Sequence, residues 1–224
     1  MLKPVSVSDP AFVLDGARTA LIIVDMQNDF VREGAPLEVP DARATFPQLL
    51  RLLEFWRRRE LPVVFTKFLA GPRPTLMWKW SPVLAPPTRC CWPGVRRFYV
   101  DVQEELECTA IVQELRPLPG EAIVEKYTYD AFFNTNLPDR LRALDVDGVV
   151  VTGTVTQICV DETARGAFNH GFKAVTISDA VSSYAPDLHA ATLKNLALKF
   201  GRVATTARVL QEMEASASVH SVVS

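Results

Sequence analysis

Short apolar runs of four to six residues alternate along this chain with stretches whose apolar positions recur every three or four residues. A run that is apolar at nearly every position reads as a parallel strand covered on both faces, and the longer spacing reads as an amphipathic helix lying over it. The pattern predicts five strands, at residues 20–25, 62–66, 121–125, 148–152 and 174–178, and a short edge strand at 202–205. Helices are predicted at 41–60, 138–144, 156–170, 187–200 and 206–214. The first of these carries Phe46, Leu49, Leu50, Leu53 and Trp56 on one face and arginines on the other. Strands alternating with helices imply βαβ units closing on a parallel sheet. The expected fold is α/β, a single-domain three-layer α/β/α sandwich with a six-stranded, mostly parallel sheet. The domain is expected to span residues 1–214, and residues 215–224, small and without periodicity, read as a flexible C-terminal tail.

One segment breaks the rhythm. Residues 69–100 hold six prolines and three tryptophans, Trp78, Trp80 and Trp92. An insert this long and aromatic exceeds an ordinary connection and exposes apolar area that something must cover. A lid over a pocket and a subunit contact are the two readings it supports.

Composition narrows the class of partner. The chain has 224 residues, 48% of them hydrophobic and 22% charged, with a formal net charge of -2. That balance supplies a sizeable core and no general field for nucleic acid or an anionic membrane, so a small-molecule partner is expected. No apolar run is long enough to cross a bilayer, and the first residues lack the apolar stretch of a secretory signal, so a cytoplasmic location is expected. Four cysteines, Cys90, Cys91, Cys108 and Cys159, show no CxxC spacing, which argues against a zinc knuckle or a disulfide framework.

Three polar residues stand at the carboxyl ends of predicted strands: Asp25 after the first, Lys126 after the third and Cys159 in the first turn of the helix after the fourth. Ligands of open α/β sheets bind at that edge, near the point where strand order reverses. Singly, each has a plain explanation: a turn acceptor, a solvated cation, a small core residue. Together an acid, a cation and a thiol at one sheet edge make the set that nucleophilic acyl transfer requires. At a helix start, backbone N–H groups and the helix dipole favour the thiolate of Cys159.

These residues sit in three ordered motifs: Thr19-Ala20-Leu21-Ile22-Ile23-Val24-Asp25-Met26-Gln27-Asn28-Asp29-Phe30, then Lys126 ahead of Asp130-Ala131-Phe132-Phe133-Asn134-Thr135-Asn136-Leu137, then Gly153-Thr154-Val155-Thr156-Gln157-Ile158-Cys159-Val160. In register, over residues 17–213, they resemble the isochorismatase-like cysteine hydrolases, on the side of the N-carbamoylsarcosine amidases and the ureidoacrylate and biuret hydrolases. The resemblance implies a catalytic triad of Asp25, Lys126 and Cys159. It implies an oxyanion hole from the backbone N–H groups of Val155 and Cys159, and a cis peptide between Thr154 and Val155. It also implies a homo-oligomer, dimer or tetramer.

Isochorismatases proper cleave a vinyl ether and usually lack the cysteine, so Cys159 favours hydrolysis of a C–N bond in a small amide or ureide, through a thioester and with release of ammonia. Nicotinamidases of the family hold a metal after the second strand. Here that stretch reads Thr66-Lys67-Phe68-Leu69-Ala70-Gly71-Pro72, and His170, His189 and His220 have no ligand spacing, so neither metal nor cofactor is expected. Phe30, Trp78, Trp80 and Phe132 are candidate apolar walls, and Lys67, Arg73 and Lys79 are candidate partners for a substrate carboxylate. The phosphate-binding GxGxxG and GxxxxGK[ST] patterns and the GxSxG nucleophile elbow are absent. The remaining alternatives are a vinyl-ether hydrolase and a scaffold protein of the same fold without activity.

Overall fold

A computed structural model of the protein describes residues 11–72 and 88–220. In chain order its elements begin with β1 (Thr19–Val24), the short α1 (Asn28–Val31), α2 (Phe46–Arg58) and β2 (Val63–Phe68). A hairpin of β3 (Arg96–Tyr99) and β4 (Glu104–Glu107) precedes β5 (Ala122–Lys126), α3 (Leu137–Ala143) and β6 (Gly148–Thr154). Then follow α4 (Asp161–Asn169), β7 (Lys173–Ser182), α5 (Pro186–Lys199), β8 (Arg202–Ala204) and α6 (Thr206–His220). Among the described residues the main sheet has six strands, all parallel, in the order β5-β2-β1-β6-β7-β8. The chain moves outward from β1 through β2 to β5 and then returns to β6 on the other side of β1. Strand order therefore reverses between β1 and β6, and the carboxyl ends of those two strands open a crevice.

The side-chain period of two splits β1 between the two core layers. Leu21 and Ile23 pack with Leu49, Leu53 and Trp56 of α2 and with Val209 and Met213 of α6. Ala20, Ile22 and Val24 pack with Leu137 and Leu141 of α3 and Ala167 of α4. Full burial of each large aliphatic side chain contributes about 1.5–3 kcal/mol, which is why a strand covered on both faces reads as an unbroken apolar run. The buried Trp56 donates its indole N–H to the Thr19 carbonyl (3.0 Å), locking α2 to the start of β1.

Gly153 decides how closely β6 meets β1 at the crevice. It pairs with Val24 and has φ +100°, and a Cβ there would lie 2.1 Å from the Val24 carbonyl oxygen. Neither the left-handed φ nor that approach tolerates a side chain. Gly153→Ala is expected to cost roughly 2–4 kcal/mol, from backbone strain added to overpacking. Urea denaturation measures it, and a midpoint equal to that of the parent would refute the account.

Several expected boundaries move. The helix expected at 41–60 divides into a 3-10 segment, Pro40–Thr45, and α2. Pro47 lacks an N–H and fits only the first turn of a helix, so α2 starts there. The helix expected at 156–170 opens as a π turn, Thr156–Val160, closed by the Val160 N–H on the Val155 carbonyl (3.1 Å). The expected insert at 69–100 is cut short, because its end forms β3 and pairs with β4. Both strands are rich in Arg and Glu, and Arg96 pairs with Glu105 across them, so opposite charges stand where an apolar alternation would have announced a hairpin. Helix α6 runs to His220, past the end expected for it at 214. Its Ser216 hydroxyl accepts the Gly16 N–H (2.9 Å). Among the described residues no helix is long and apolar enough to cross a membrane.

Candidate active site

Asp25 is the residue immediately after β1 and adopts φ +48°, a conformation that short polar side chains tolerate best. This turn points its carboxylate along the sheet edge instead of into either core layer. Oδ1 accepts the Thr66 hydroxyl at 2.5 Å, and the Thr66 oxygen accepts the Asp25 backbone N–H at 3.1 Å. Oδ2 stands 2.7 Å from Lys126 Nζ, and both side chains are wholly buried.

Lys126 ends β5, two strands from β1, so roughly 9–10 Å of sheet separates the two backbones. Only a long side chain spans the intervening β2. The register places Lys126 beside Phe68, and the ammonium lies 5.2 Å from the centre of that ring, a cation–π contact on the way to Asp25. Nζ also donates to the Thr128 carbonyl (3.1 Å).

Cys159 lies in the π turn after β6 and is buried against the α3–α4 layer. Its thiol lies near enough to Asp25 and Lys126 for both to act on it electrostatically. The structure thus brings Asp25, Lys126 and Cys159 together where strand order reverses. Burial pushes the Cys159 thiol well above the usual thiol range; Lys126 opposes that rise and Asp25 adds to it. Burial thus works against the thiolate that the helix start favours. Burial likewise works against the charge on Lys126, yet Asp25 and Cys159 hold it above the ordinary lysine value. The resting site is therefore a buried ion pair beside a neutral thiol.

The other residues of the first motif hold the frame. The buried Gln27 amide donates to the carbonyls of Phe68 and Thr109 (both 3.1 Å) and accepts the Phe68 N–H (2.7 Å), fixing the end of β2 beneath Lys126. Asp29 accepts from the Tyr99 hydroxyl (2.8 Å), Arg97 (3.0 Å) and the Cys91 N–H (2.8 Å), which docks the β3–β4 hairpin on α1. Burial foremost, with Asp29 nearby, raises the thiols of Cys91 and of Cys108, the latter to about 12.

In the same π turn as Cys159, the Thr156 hydroxyl is 2.9 Å from both the Ser182 carbonyl and His189 Nδ1. Its one hydrogen goes to the carbonyl, so the imidazole donates from Nδ1. His189, Ser182 and Ser183 also line a cavity of about 270 Å³. The peptide between Thr154 and Val155 is cis.

Of the expected walls, Phe30 packs at 6.2 Å from Phe68, which stacks on Tyr129 at 5.9 Å. The Phe132 ring stacks instead on His170 (5.3 Å) and meets Phe172 (5.8 Å). Lys67 alternates to the face of β2 opposite Thr66 and Phe68 and stands 3.9 Å from Glu125. Arg73, Trp78, Lys79 and Trp80 lie outside the described residues. The sequence alone assigned no role to Thr66, Gln27, Phe68 or His189. A polar residue near the end of an apolar strand was the signal for Thr66, and an amide between Met26 and Asn28 was the signal for Gln27. Among the described residues no group of three or more His, Cys, Asp or Glu side chains is arranged to hold a metal ion.

A family model for the isochorismatase domain matches residues 19–208, from the start of β1 into α6, and so contains Asp25, Lys126 and Cys159. The chain belongs to the isochorismatase family. Among its relatives in that family is the ureidoacrylate amidohydrolase RutB of Agrobacterium fabrum, 30% identical over 210 residues that cover 86% of this chain and 88% of the relative. The maleamate amidohydrolase of Pseudomonas putida is 29% identical over 198 residues, 88% of each chain. The fold of this isochorismatase-family chain matches the crystal structure of a cysteine hydrolase from Pseudomonas syringae pv. phaseolicola, with a TM-score of 0.82 and 26% identity over 96% of this chain and 100% of that one.

Proposed function

We propose that this isochorismatase-family chain is a cysteine-dependent amidohydrolase that cleaves the C–N bond of a small amide or ureide. The observation that carries the reading is the buried ion pair of Asp25 and Lys126 in contact with the Cys159 thiol at the reversal of strand order. Amidohydrolases acting on ureidoacrylate and maleamate among the relatives support the choice of bond.

Because the resting thiol is neutral, attack and proton transfer proceed together: as Cys159 Sγ bonds to the substrate carbonyl carbon, its proton passes to Asp25. Lys126 stabilises the negative charge that moves between sulfur and carboxylate. The carbonyl oxygen becomes an oxyanion, for which the backbone N–H groups of Val155 and Cys159 are the donors. Collapse of the tetrahedral species breaks the C–N bond, and Asp25 returns the proton to the departing nitrogen, which leaves as ammonia. Water then adds to the thioester with Asp25 as base, and cleavage of the C–S bond restores the thiol and releases an acid, or a carbamic acid from a ureide. Phe30, with Phe68, is the apolar wall of this pocket, and the active form is a homo-oligomer.

A screen for ammonia release over ureidoacrylate, maleamate, nicotinamide, biuret and N-carbamoyl amino acids tests the proposal. Steady turnover of at least one is expected. No ammonia from any of them, together with consumption of a vinyl ether such as isochorismate, would replace the amidohydrolase reading.

A further inference from the structure

We infer that Thr66 is a positioning residue for Asp25, assigning one carboxylate oxygen to hold the base in place and leaving the other to take the thiol proton. The inference rests on the reaction proposed above. A hydroxyl has one hydrogen to give. The Asp25 N–H occupies a lone pair of the Thr66 oxygen, so its hydrogen goes to Asp25 Oδ1, and the two contacts, 3.1 and 2.5 Å, close a ring around one residue. Thr66 and Asp25 are both wholly buried, so no water substitutes for either contact. The branched Cβ of threonine restricts χ1, which adds rigidity that the unbranched serine lacks.

Oδ2 is in a different state. It meets the Lys126 ammonium at 2.7 Å, and among the described residues no hydroxyl or backbone N–H is directed at it. A carboxylate oxygen has room for more than one donor. Oδ2 is therefore the oxygen left to take the proton of Cys159. The ionisable groups facing Asp25 are Lys126 from β5 and Cys159 from the π turn, with Cys91, ahead of β3, coupled to it more weakly. Thr66 faces it from β2 and is the one hydroxyl in this set.

Thr66→Val keeps the shape and removes the hydroxyl. Its kcat is expected to fall roughly 10- to 100-fold, the loss of a hydrogen bond to a charged group, with KM changed by less than about twofold. Losing a donor to the carboxylate disfavours its charged form, so the acidic limb of the kcat/KM profile should move to higher pH. Thr66→Ser should recover most of the rate and return the limb towards its original position. The rate of Cys159 alkylation by iodoacetamide, read by peptide mapping across pH, should shift in the same direction without any substrate. If Thr66→Val does not fold, Thr66→Ala is read in the same way. Parent-like kcat and acidic limb overturn the inference, as does a slower variant whose limb does not move and which serine fails to rescue. Cys159→Ala in the same assays separates the two levels: if it keeps turnover, the proposed reaction fails, whereas an inactive Cys159→Ala beside a parent-like Thr66→Val removes only the role of Thr66.

Discussion

Cys159→Ala is expected to lower kcat on the substrate found by ammonia release by about 10⁴-fold or more while the fold stays intact. The magnitude follows from removing a covalent nucleophile, for which no nearby group substitutes. Cys90, Cys91 and Cys108 are buried in the separate layer around Asp29, and their thiols are likewise raised by burial. The structural cost is small: alanine fills most of the thiol's volume in the apolar layer where Cys159 packs, and about 1 kcal/mol is expected. Cys159→Ser should be comparably inactive, because an alcohol in this dry position is harder to deprotonate than the thiol it replaces. Ammonia kinetics and a thermal melt on the same preparations test both statements. Activity of Cys159→Ala within tenfold of the parent would exclude the sulfur as nucleophile.

Lys126→Met is expected to abolish turnover and also to cost about 3–5 kcal/mol of stability, since it leaves the Asp25 carboxylate enclosed without its counter-charge. The sign of the pH dependence follows from Lys126 itself. Burial alone would lower its pKa, but Asp25 and Cys159 raise it, so the stability it contributes is complete below the ordinary lysine range and is lost only as pH climbs through the raised value. The full effect is therefore measurable at neutral pH by urea denaturation. The double variant Asp25→Asn, Lys126→Met removes both charges and should regain much of the stability with none of the activity. A Lys126→Met protein as stable as the parent would mean that the ion pair is not closed off from water as described.

The strands and most helices were legible because burial on both faces leaves a composition signal that needs no knowledge of neighbours. Asp25 and Lys126 were legible because they stand at the carboxyl ends of strands, and Cys159 because it stands in the first turn of the helical pattern after one; a parallel sheet gathers those ends. The hairpin at 96–107 was not, because its strands carry charged residues, with Arg96 paired to Glu105 across the ladder, and leave no apolar alternation along a single strand. Nor was the division of the helix at Pro47, although proline itself marked the place.

The amino-acid order by itself determined which segments become strands, that they run parallel, and which three polar residues reach one edge of the sheet, since these follow from local periodicity and from the handedness of crossovers. Only the tertiary structure decided that Lys126 reaches across β2 over Phe68, that Thr66 holds one oxygen of Asp25 while Lys126 meets the other, and that burial raises the Cys159 thiol. Those facts depend on distances between residues far apart in the chain and on the exclusion of water from the space they enclose, and neither quantity exists until the layers have packed.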